Sequence, residues 1–217
     1  MKTIFYLFII LCITTVTAFG QEYAPIPDSA VRDYNVRRSF WTMDYVITVP
    51  TGDQEAFIAR TSFRGISVTG AGFINDNIAI GGSFGWYGQY AEFNRSTYEL
   101  LIAPGAITGR KYDYLYALPL MAHASYFFLP EATVEPFVSL GLGVQYSELE
   151  TQIGSLAVRD EAWDFTFSPE AGIYVPLGLS ATWGFTAKVK YNFITYETSR
   201  ISNLQNWGFH LGVGFLY

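Results

Sequence analysis

The last eleven residues of the chain alternate without a slip between large apolar side chains and small or polar ones. A period of two is typical of a β-strand, because successive side chains point to opposite faces of the pleat. The length also matches a bilayer, which a tilted strand of about ten residues crosses. The first face holds Trp207, Phe209, Leu211, Val213, Phe215 and Tyr217, and the second holds Gly208, His210, Gly212, Gly214 and Leu216. A face so rich in glycine predicts a crowded, narrow interior.

Seven further segments alternate in the same way, so the sequence predicts eight strands. Because an open sheet edge in lipid would leave backbone groups unpaired, an even number of strands predicts a closed barrel. The predicted fold is all-β: an eight-stranded antiparallel, up-and-down transmembrane β-barrel with short periplasmic turns and long extracellular loops. The other strands are predicted at 41–49, 63–73, 78–88, 116–127, 134–146, 164–175 and 183–193, with short turns at 75–77, 129–133 and 176–181 and longer loops that include 89–113, 147–163 and 195–206.

The start of the chain has the pattern of a secretory signal peptide over residues 1–20. Lys2 is followed by an apolar run of roughly ten residues, and Ala18-Phe19-Gly20 is a small-x-small cleavage site. The run is too short for a membrane-spanning helix, and Leu11 before Cys12 does not fit a lipoprotein site. Cys12 is the only cysteine, so a mature chain would have no disulfide, thiol catalyst or cysteine metal site. Residues 21–39 are predicted as a polar periplasmic lead-in and residues 40–217 as the barrel.

The composition agrees with a membrane barrel and excludes one class of partner. Aromatic residues make up 18% of the chain and charged residues only 15%, whereas soluble domains carry about 25% charged residues. The net charge of −6 argues against nucleic acid as a partner. The aromatic residues near strand ends predict girdles at the two membrane surfaces. They are Tyr45, Trp86, Tyr126, Tyr146, Trp183, Tyr191, Trp207 and Tyr217.

Alternation places a set of polar side chains inside the barrel. Because an ion in a low-dielectric interior must pair, these side chains predict a polar network in the lumen. We interpret the network as salt bridges that hold the barrel shut, and the alternative is a gated path for a solute. The charged and histidine members are Asp44, His123, Glu170, Lys188, Lys190 and His210, and the others are Ser67, Thr69, Ser125 and Gln145. Two histidines without a third ligand do not predict a metal site.

One arrangement invites a catalytic interpretation. His123 and Ser125, with Glu135 further along, resemble the catalytic set of outer-membrane lipid A deacylases, in which serine is the nucleophile and histidine its base. The chemistry would require all three groups within hydrogen-bond reach. Alternation, however, points His123 and Ser125 inward, whereas acyl chains arrive from the lipid side. We therefore predict no catalytic residues, no enzymatic activity and no cofactor.

The strand segments resemble the small outer-membrane β-barrel family that includes OmpW-like and OmpA-like barrels. The segments that carry the resemblance include "ISVTGAGFINDNIAIGGSFGWY", "ALPLMAHASYFFLP", "VEPFVSLGLGVQY" and "WGFTAKVKYNF". The terminal aromatic strand is similar to the C-terminal signal strand of such proteins, which implies recognition by the barrel-assembly machinery. The resemblance further implies a location in the outer membrane and contact with its lipid and lipopolysaccharide.

For function, the OmpW-like resemblance implies a narrow channel for small hydrophobic solutes, with a lumen that opens sideways into the membrane. The OmpA-like alternative is a closed structural or surface-interaction barrel that acts through its extracellular loops, without the peptidoglycan-binding domain that follows OmpA barrels. A secreted soluble barrel that binds a lipophile is a third interpretation. It would require charges on the outer faces of strands, and the fifth and eighth strands lack them.

Overall fold

A computed structural model describes residues 37–99, 106–177, 182–196 and 203–217. The predicted signal peptide and most of the predicted lead-in lie outside these ranges. The described chain forms eight strands and one short helix: β1 (Ser39–Thr51), α1 (Asp53–Phe57), β2 (Gly65–Phe73), β3 (Ile78–Glu99), β4 (Ala106–Phe127), β5 (Glu135–Ile153), β6 (Leu156–Leu177), β7 (Trp183–Ile194) and β8 (Leu204–Leu216). Within these ranges, no helix is both long and apolar enough to span a membrane.

The strands close into one barrel in which each strand pairs with its neighbours in the sequence. β1 and β8 complete the ring in antiparallel register, from Phe40 opposite Leu216 to Thr51 opposite Gln205. All eight strand pairs are antiparallel. The predicted eight-stranded up-and-down barrel is therefore confirmed.

Two of the predicted long loops are wrong, because strands occupy most of them. β3 and β4 extend through the predicted loop 89–113, apart from residues 100–105, which lie outside the described ranges, and β5 and β6 extend through 147–163. Polar residues lie on both faces of these extensions, so the apolar alternation that marks the membrane-spanning part disappears. Their tyrosines, threonines and valines still favour extended backbone. The barrel thus continues beyond the predicted strand ends as a four-stranded sheet.

Short connections between consecutive strands place sequence neighbours side by side in the barrel. At one end of the barrel, Asn75 accepts hydrogen bonds from the backbone N–H groups of Asn77 (3.0 Å) and Ile78 (2.8 Å), which forms the predicted tight turn between β2 and β3. At the other end, β5 and β6 are joined through Gly154 and Ser155 alone. Gly154 has φ of 60°, a conformation that glycine adopts without strain.

The outer surface carries the apolar residues that alternation predicted to face lipid. Met43, Leu142, Phe185 and Leu211 are each about half exposed. Aromatic pairs lie towards both ends of the strands. Their ring centroids are 4.9 Å apart for Tyr191 and Trp207, 5.4 Å for Tyr146 and Trp163, 5.2 Å for Tyr126 and Phe128, and 6.3 Å for Trp183 and Phe185. This is the arrangement of an apolar belt between two aromatic rings that a bilayer favours.

Candidate functional site

The middle of the barrel interior contains a buried ion pair. Lys188 Nζ on β7 lies 2.7 Å from Asp44 Oδ2 on β1, and both side chains are at most 2% exposed. Thr42 donates to the same oxygen (2.9 Å) and Thr186 to Asp44 Oδ1 (2.8 Å). The carboxylate therefore has a cation and two hydroxyl donors, which compensates its loss of water.

A glycine on the intervening strand makes this contact possible. Gly212 on β8 lies opposite Thr186 on one side and Asp44 on the other. A Cβ atom at Gly212 would lie 2.6 Å from Asp44 Oδ1 and 2.1 Å from the backbone oxygen of Met43. Because glycine has no side chain, groups from β7 and β1 can meet across β8.

A second ion pair lies on neighbouring strands. Lys190 Nζ on β7 is 3.6 Å from Glu170 Oε2 on β6, and both side chains are at most 5% exposed. These two residues face each other in the register of β6 and β7. The two lysines lie two residues apart on β7, and the structure pairs Lys190 with Glu170 and Lys188 with Asp44. All six residues of the predicted lumen network are buried inside the barrel.

Each histidine in the interior is bonded to a serine on another strand. His123 Nε2 lies 2.7 Å from Ser83 Oγ, and His210 Nδ1 lies 3.1 Å from Ser67 Oγ. The edge of Tyr87 also packs on the His210 ring, with centroids 6.4 Å apart. Both imidazoles are thus packed and hydrogen-bonded parts of the interior.

Aromatic side chains fill the interior towards the end with the short turns. Phe40 contacts Phe127, Phe137 and Tyr174 edge-on, with ring centroids 5.3, 6.0 and 5.5 Å apart. All four residues are at most 4% exposed. Beyond them, Arg37 forms a buried ion pair with Glu135. This end of the lumen is therefore filled by a layer of rings and an ion pair.

The other end is filled by a chain of amide side chains and an apolar cluster. Gln54 of α1 is fully buried; it donates to Gln89 (3.0 Å) and accepts from Asn206 (3.1 Å). Asn206 accepts in turn from Asn192 (2.8 Å), which accepts from Ser168 (2.8 Å). Above these groups is a cluster of Ile58, Ala91, Leu115, Leu149, Ile194, Tyr196 and Leu204. We call Gln54 and this apolar cluster the plug; the sequence did not predict it, because residues 53–58 carry no regular alternation.

Little space remains between the side chains around Gln54. A cavity lined by Thr48, Gln54, Tyr87, Gln145 and neighbouring residues has a volume of about 10 Å³. That is close to the smallest volume that holds one water molecule. Side chains therefore fill the lumen, as expected for eight strands.

The residues of the catalytic interpretation do not come together. Ser125 Oγ lies 2.8 Å from Ser139 Oγ, and Glu135 pairs with Arg37, while His123 is bonded to Ser83. Among the described residues, no group of three or more His, Cys, Asp or Glu side chains could hold a metal ion.

We use the name upper sheet for the parts of β3–β6 beyond the aromatic ring, residues 88–99, 106–117, 147–153 and 156–162. On its outer face, the ring of Tyr114 stacks against Tyr116 (6.3 Å, 8° between planes) and lies 5.2 Å from Tyr90. Tyr90 also stacks on Tyr112 (6.2 Å), and Trp86, just below the sheet, stacks on Tyr116 (6.4 Å). An aromatic ladder thus rises from the membrane ring onto the sheet.

Charged residues lie next to this ladder on β5 and β6. Arg159 forms ion pairs with Glu148 (3.0 Å) and Glu150 (2.9 Å). Hydrogen bonds from Gln152 and Arg159 lower the pKa of Glu150 from its usual value, so its carboxylate is ionised at neutral pH. Glu161 accepts a hydrogen bond from Tyr146 (2.8 Å). The upper sheet therefore presents aromatic rings beside a group of carboxylates.

Comparison with known proteins supports the fold alone. No protein-family model and no curated protein sequence matches the chain. Among solved structures, it is similar to Neisserial surface protein A (NspA), with 14% identity, a TM-score of 0.56 and coverage of 85% of this chain and 100% of that one. It is also similar to Ail, the attachment invasion locus protein of Yersinia pestis, with 11% identity, a TM-score of 0.52 and coverage of 83% and 99%. The chain thus has the fold of small eight-stranded outer-membrane barrels.

Proposed function

We propose that this protein is an integral outer-membrane β-barrel that is closed to solutes and acts at the cell surface through its upper sheet. The observation that carries the proposal is the filled lumen. Buried side chains occupy each level, from the Arg37–Glu135 pair through the aromatic layer and the ion pairs to Gln54. A solute would have to displace several of these groups together.

The upper sheet is the second feature that supports a function at the cell surface. Each of its four strands extends well beyond the aromatic ring, and its outer face displays the tyrosine ladder and the carboxylates. Residues with no part in the membrane belt thus form an ordered surface where a partner can bind. NspA is described as a surface protein and Ail as an attachment invasion locus protein; both descriptions are compatible with this role.

The experiment compares the wild-type protein with a variant in which residues 149–160 are replaced by Asn-Gly, which leaves Glu148 opposite Glu161. Proteoliposomes of each are applied to surfaces coated with defined proteins and polysaccharides. We expect capture of the wild type on at least one coating and at least tenfold less capture of the variant. Equal capture of both proteins would contradict a role for this hairpin. A heat-modifiability gel controls for the amount of folded barrel.

A second candidate function is passage of small hydrophobic solutes sideways into the membrane. The observation that favours it is a break in the pairing of β6 with β7 at Ser168 and Pro169, between the pairs Phe167–Phe193 and Glu170–Lys190. Proline has no N–H group for the ladder. Under this hypothesis Pro169→Val, which restores a donor, should reduce uptake of a hydrophobic solute by liposomes. Absence of uptake by the wild type would eliminate the hypothesis.

A further inference from the structure

The upper sheet ends in a strand whose outer edge is uncovered among the described residues. β7 pairs with β6 only as far as Ile194 opposite Thr166, with one further backbone hydrogen bond from Thr195 to Phe165. β6 continues beyond this point to Leu156, paired on its other side with β5 throughout. Within the described ranges, no residue pairs with the β7 side of β6 from residue 156 to residue 164. An unpaired edge of this kind is a template for an added strand.

The direction of the backbone groups on this edge follows from one hydrogen bond. The carbonyl of Phe165 accepts from Thr195 N at 3.0 Å, so it points towards β7. In an antiparallel strand, the N–H and C=O groups of one residue point to the same side, and this side alternates from residue to residue. The backbone groups of the odd-numbered residues between Phe165 and Leu156 therefore also point towards the side of β7. Pro169 agrees with this assignment: it is odd-numbered, so its missing N–H should affect only the pairing with β7. The pairing of β6 with β7 is indeed interrupted at Pro169, whereas the pairing with β5 is continuous. The available groups are those of Ala157, Arg159, Glu161 and Trp163.

The opposite edge of the upper sheet is different. β2 covers β3 up to Tyr87, and β3 extends beyond it to Glu99. The pairing of β3 with β4 shifts register between Phe93 and Ser96. A bulge of this kind twists an edge and protects it from pairing. The register of β5 with β6 continues without a shift from Ile153–Leu156 to Glu135–Tyr174, so the edge of β6 has no such protection.

The side chains along this edge indicate the partner's chemistry. Arg159 is already paired with Glu148 and Glu150. Asp160 and Glu161 have no cation within ion-pair distance among the described residues. Trp163, which contacts Tyr146 in the aromatic ring at the lower end of this edge, is 65% exposed and offers a large apolar contact beside these charges. An acidic edge with one aromatic side chain is complementary to an extended segment that carries basic and apolar residues.

We propose that the edge of β6 from Ala157 to Trp163 binds an extended, basic segment of another protein, which adds to the upper sheet as a further strand. The proposal rests on the proposed function and names the part of the surface that would carry it. Backbone hydrogen bonds provide the affinity, and the carboxylates select for basic side chains.

The test uses the full-length protein in nanodiscs and a synthetic peptide of about nine residues in which Lys and Val alternate. A second peptide has the same sequence with every other backbone nitrogen methylated. We expect the first peptide to bind with an affinity that falls as salt is raised, and the methylated peptide to bind at least tenfold more weakly. Equal binding of the two peptides would overturn the proposal, because charge alone would then account for binding.

Two variants at one position separate the backbone from the side chain. Glu161→Pro removes an N–H donor from the free edge and leaves the β5 ladder intact. Glu161→Ala removes the same carboxylate and keeps the donor. We expect the proline variant to bind the peptide at least tenfold more weakly than the alanine variant. Equal affinities of the two variants would overturn the proposal even if both are folded.

The same two variants in the proteoliposome assay distinguish the two proposals. If the proline and alanine variants are captured equally while the 149–160 replacement is not captured, the surface function stands and strand addition is wrong. If no coating captures the wild type, the surface function fails, whereas the peptide result still decides whether the edge accepts a strand. Peptide-independent dimers in the nanodisc preparation that disappear in the proline variant would identify a second copy as the occupant and overturn the proposal.

Discussion

Lys188 on β7 and Asp44 on β1 form a buried ion pair at 2.7 Å although β8 separates their strands. The contact passes over Gly212, which lies opposite Asp44 in the register of β1 with β8. The pair therefore joins β7 to β1 across β8, whose pairing with β1 closes the barrel. It is also one of the groups that a solute would have to displace.

Removal of the cation should destabilise the barrel. Lys188→Met leaves the Asp44 carboxylate buried with only the hydroxyl donors of Thr42 and Thr186, and we expect the free energy of unfolding to fall by about 3–5 kcal/mol. The double variant with Asp44→Leu should recover most of that loss, since no charge remains unpaired. Urea unfolding in detergent micelles measures both. A double variant no more stable than Lys188→Met would show that the loss comes from packing.

The aromatic layer should be important for stability. Phe127 is fully buried against Phe40 and Phe137, so Phe127→Ala should lower the free energy of unfolding by about 3–5 kcal/mol through the cavity that it leaves. Phe215→Ala, at a position 43% exposed on the outer surface, is the matched control and should have a clearly smaller effect. Equal losses in the two variants would argue against a packed layer.

Gln54 should hold α1 in the mouth of the barrel. Gln54→Ala removes the donor to the Gln89 side-chain oxygen and the acceptor of the Asn206 amide N–H, and each buried polar group left unsatisfied costs about 1–3 kcal/mol. We expect faster hydrogen exchange at the amide of Ile58, which donates to the backbone oxygen of residue 54 at 2.9 Å. Glu55→Ala, an exposed change in the same helix, should leave that exchange rate unchanged. Unchanged exchange in both variants would mean that the amide chain does not hold the helix.

Gly212 should tolerate no side chain. Its Cβ atom would lie 2.1 Å from the backbone oxygen of Met43, so Gly212→Ala must shift β1 or break the contact with Asp44, with a loss of at least about 1–3 kcal/mol. Gly72→Ala is the control, because the nearest atom to its Cβ, the backbone oxygen of Arg38, is 3.9 Å away. Thermal unfolding followed by the gel shift of folded barrel compares the two. Equal midpoints would contradict the close approach of β7 and β1.

The sequence was sufficient to predict the parts of the chain that contact lipid. Lipid on one side and packed side chains on the other impose a period of two, so the eight strands and the inward positions of Lys188, Lys190 and Glu170 can be recognised from alternation. The partner of Lys188 could not be predicted, because it depends on the register around the closed barrel. Alternation does not reveal that register.

Two other features, the upper sheet and the plug, could not be predicted because they produce no periodic pattern in the sequence. The upper sheet lies outside the belt, where polar residues occur on both faces, so its strands resemble loops in sequence. The plug depends on Gln54, a single polar residue in a short segment. Its role is evident only in the folded barrel, where Gln89 and Asn206 lie beside it and form hydrogen bonds with it. The turn at Asn75 could be recognised, because its side chain forms hydrogen bonds with backbone groups only two and three residues away.

The measurement that tests the account most directly is solute flux into liposomes that carry the refolded wild-type protein. A small hydrophobic solute is compared with a hydrophilic one of similar size, and protein-free liposomes give the background. Because the lumen is filled from Arg37 to Gln54, we predict that neither solute enters above background. Entry of either solute through the folded barrel would contradict the closed lumen, and selective entry of the hydrophobic one would favour the lateral path at Pro169.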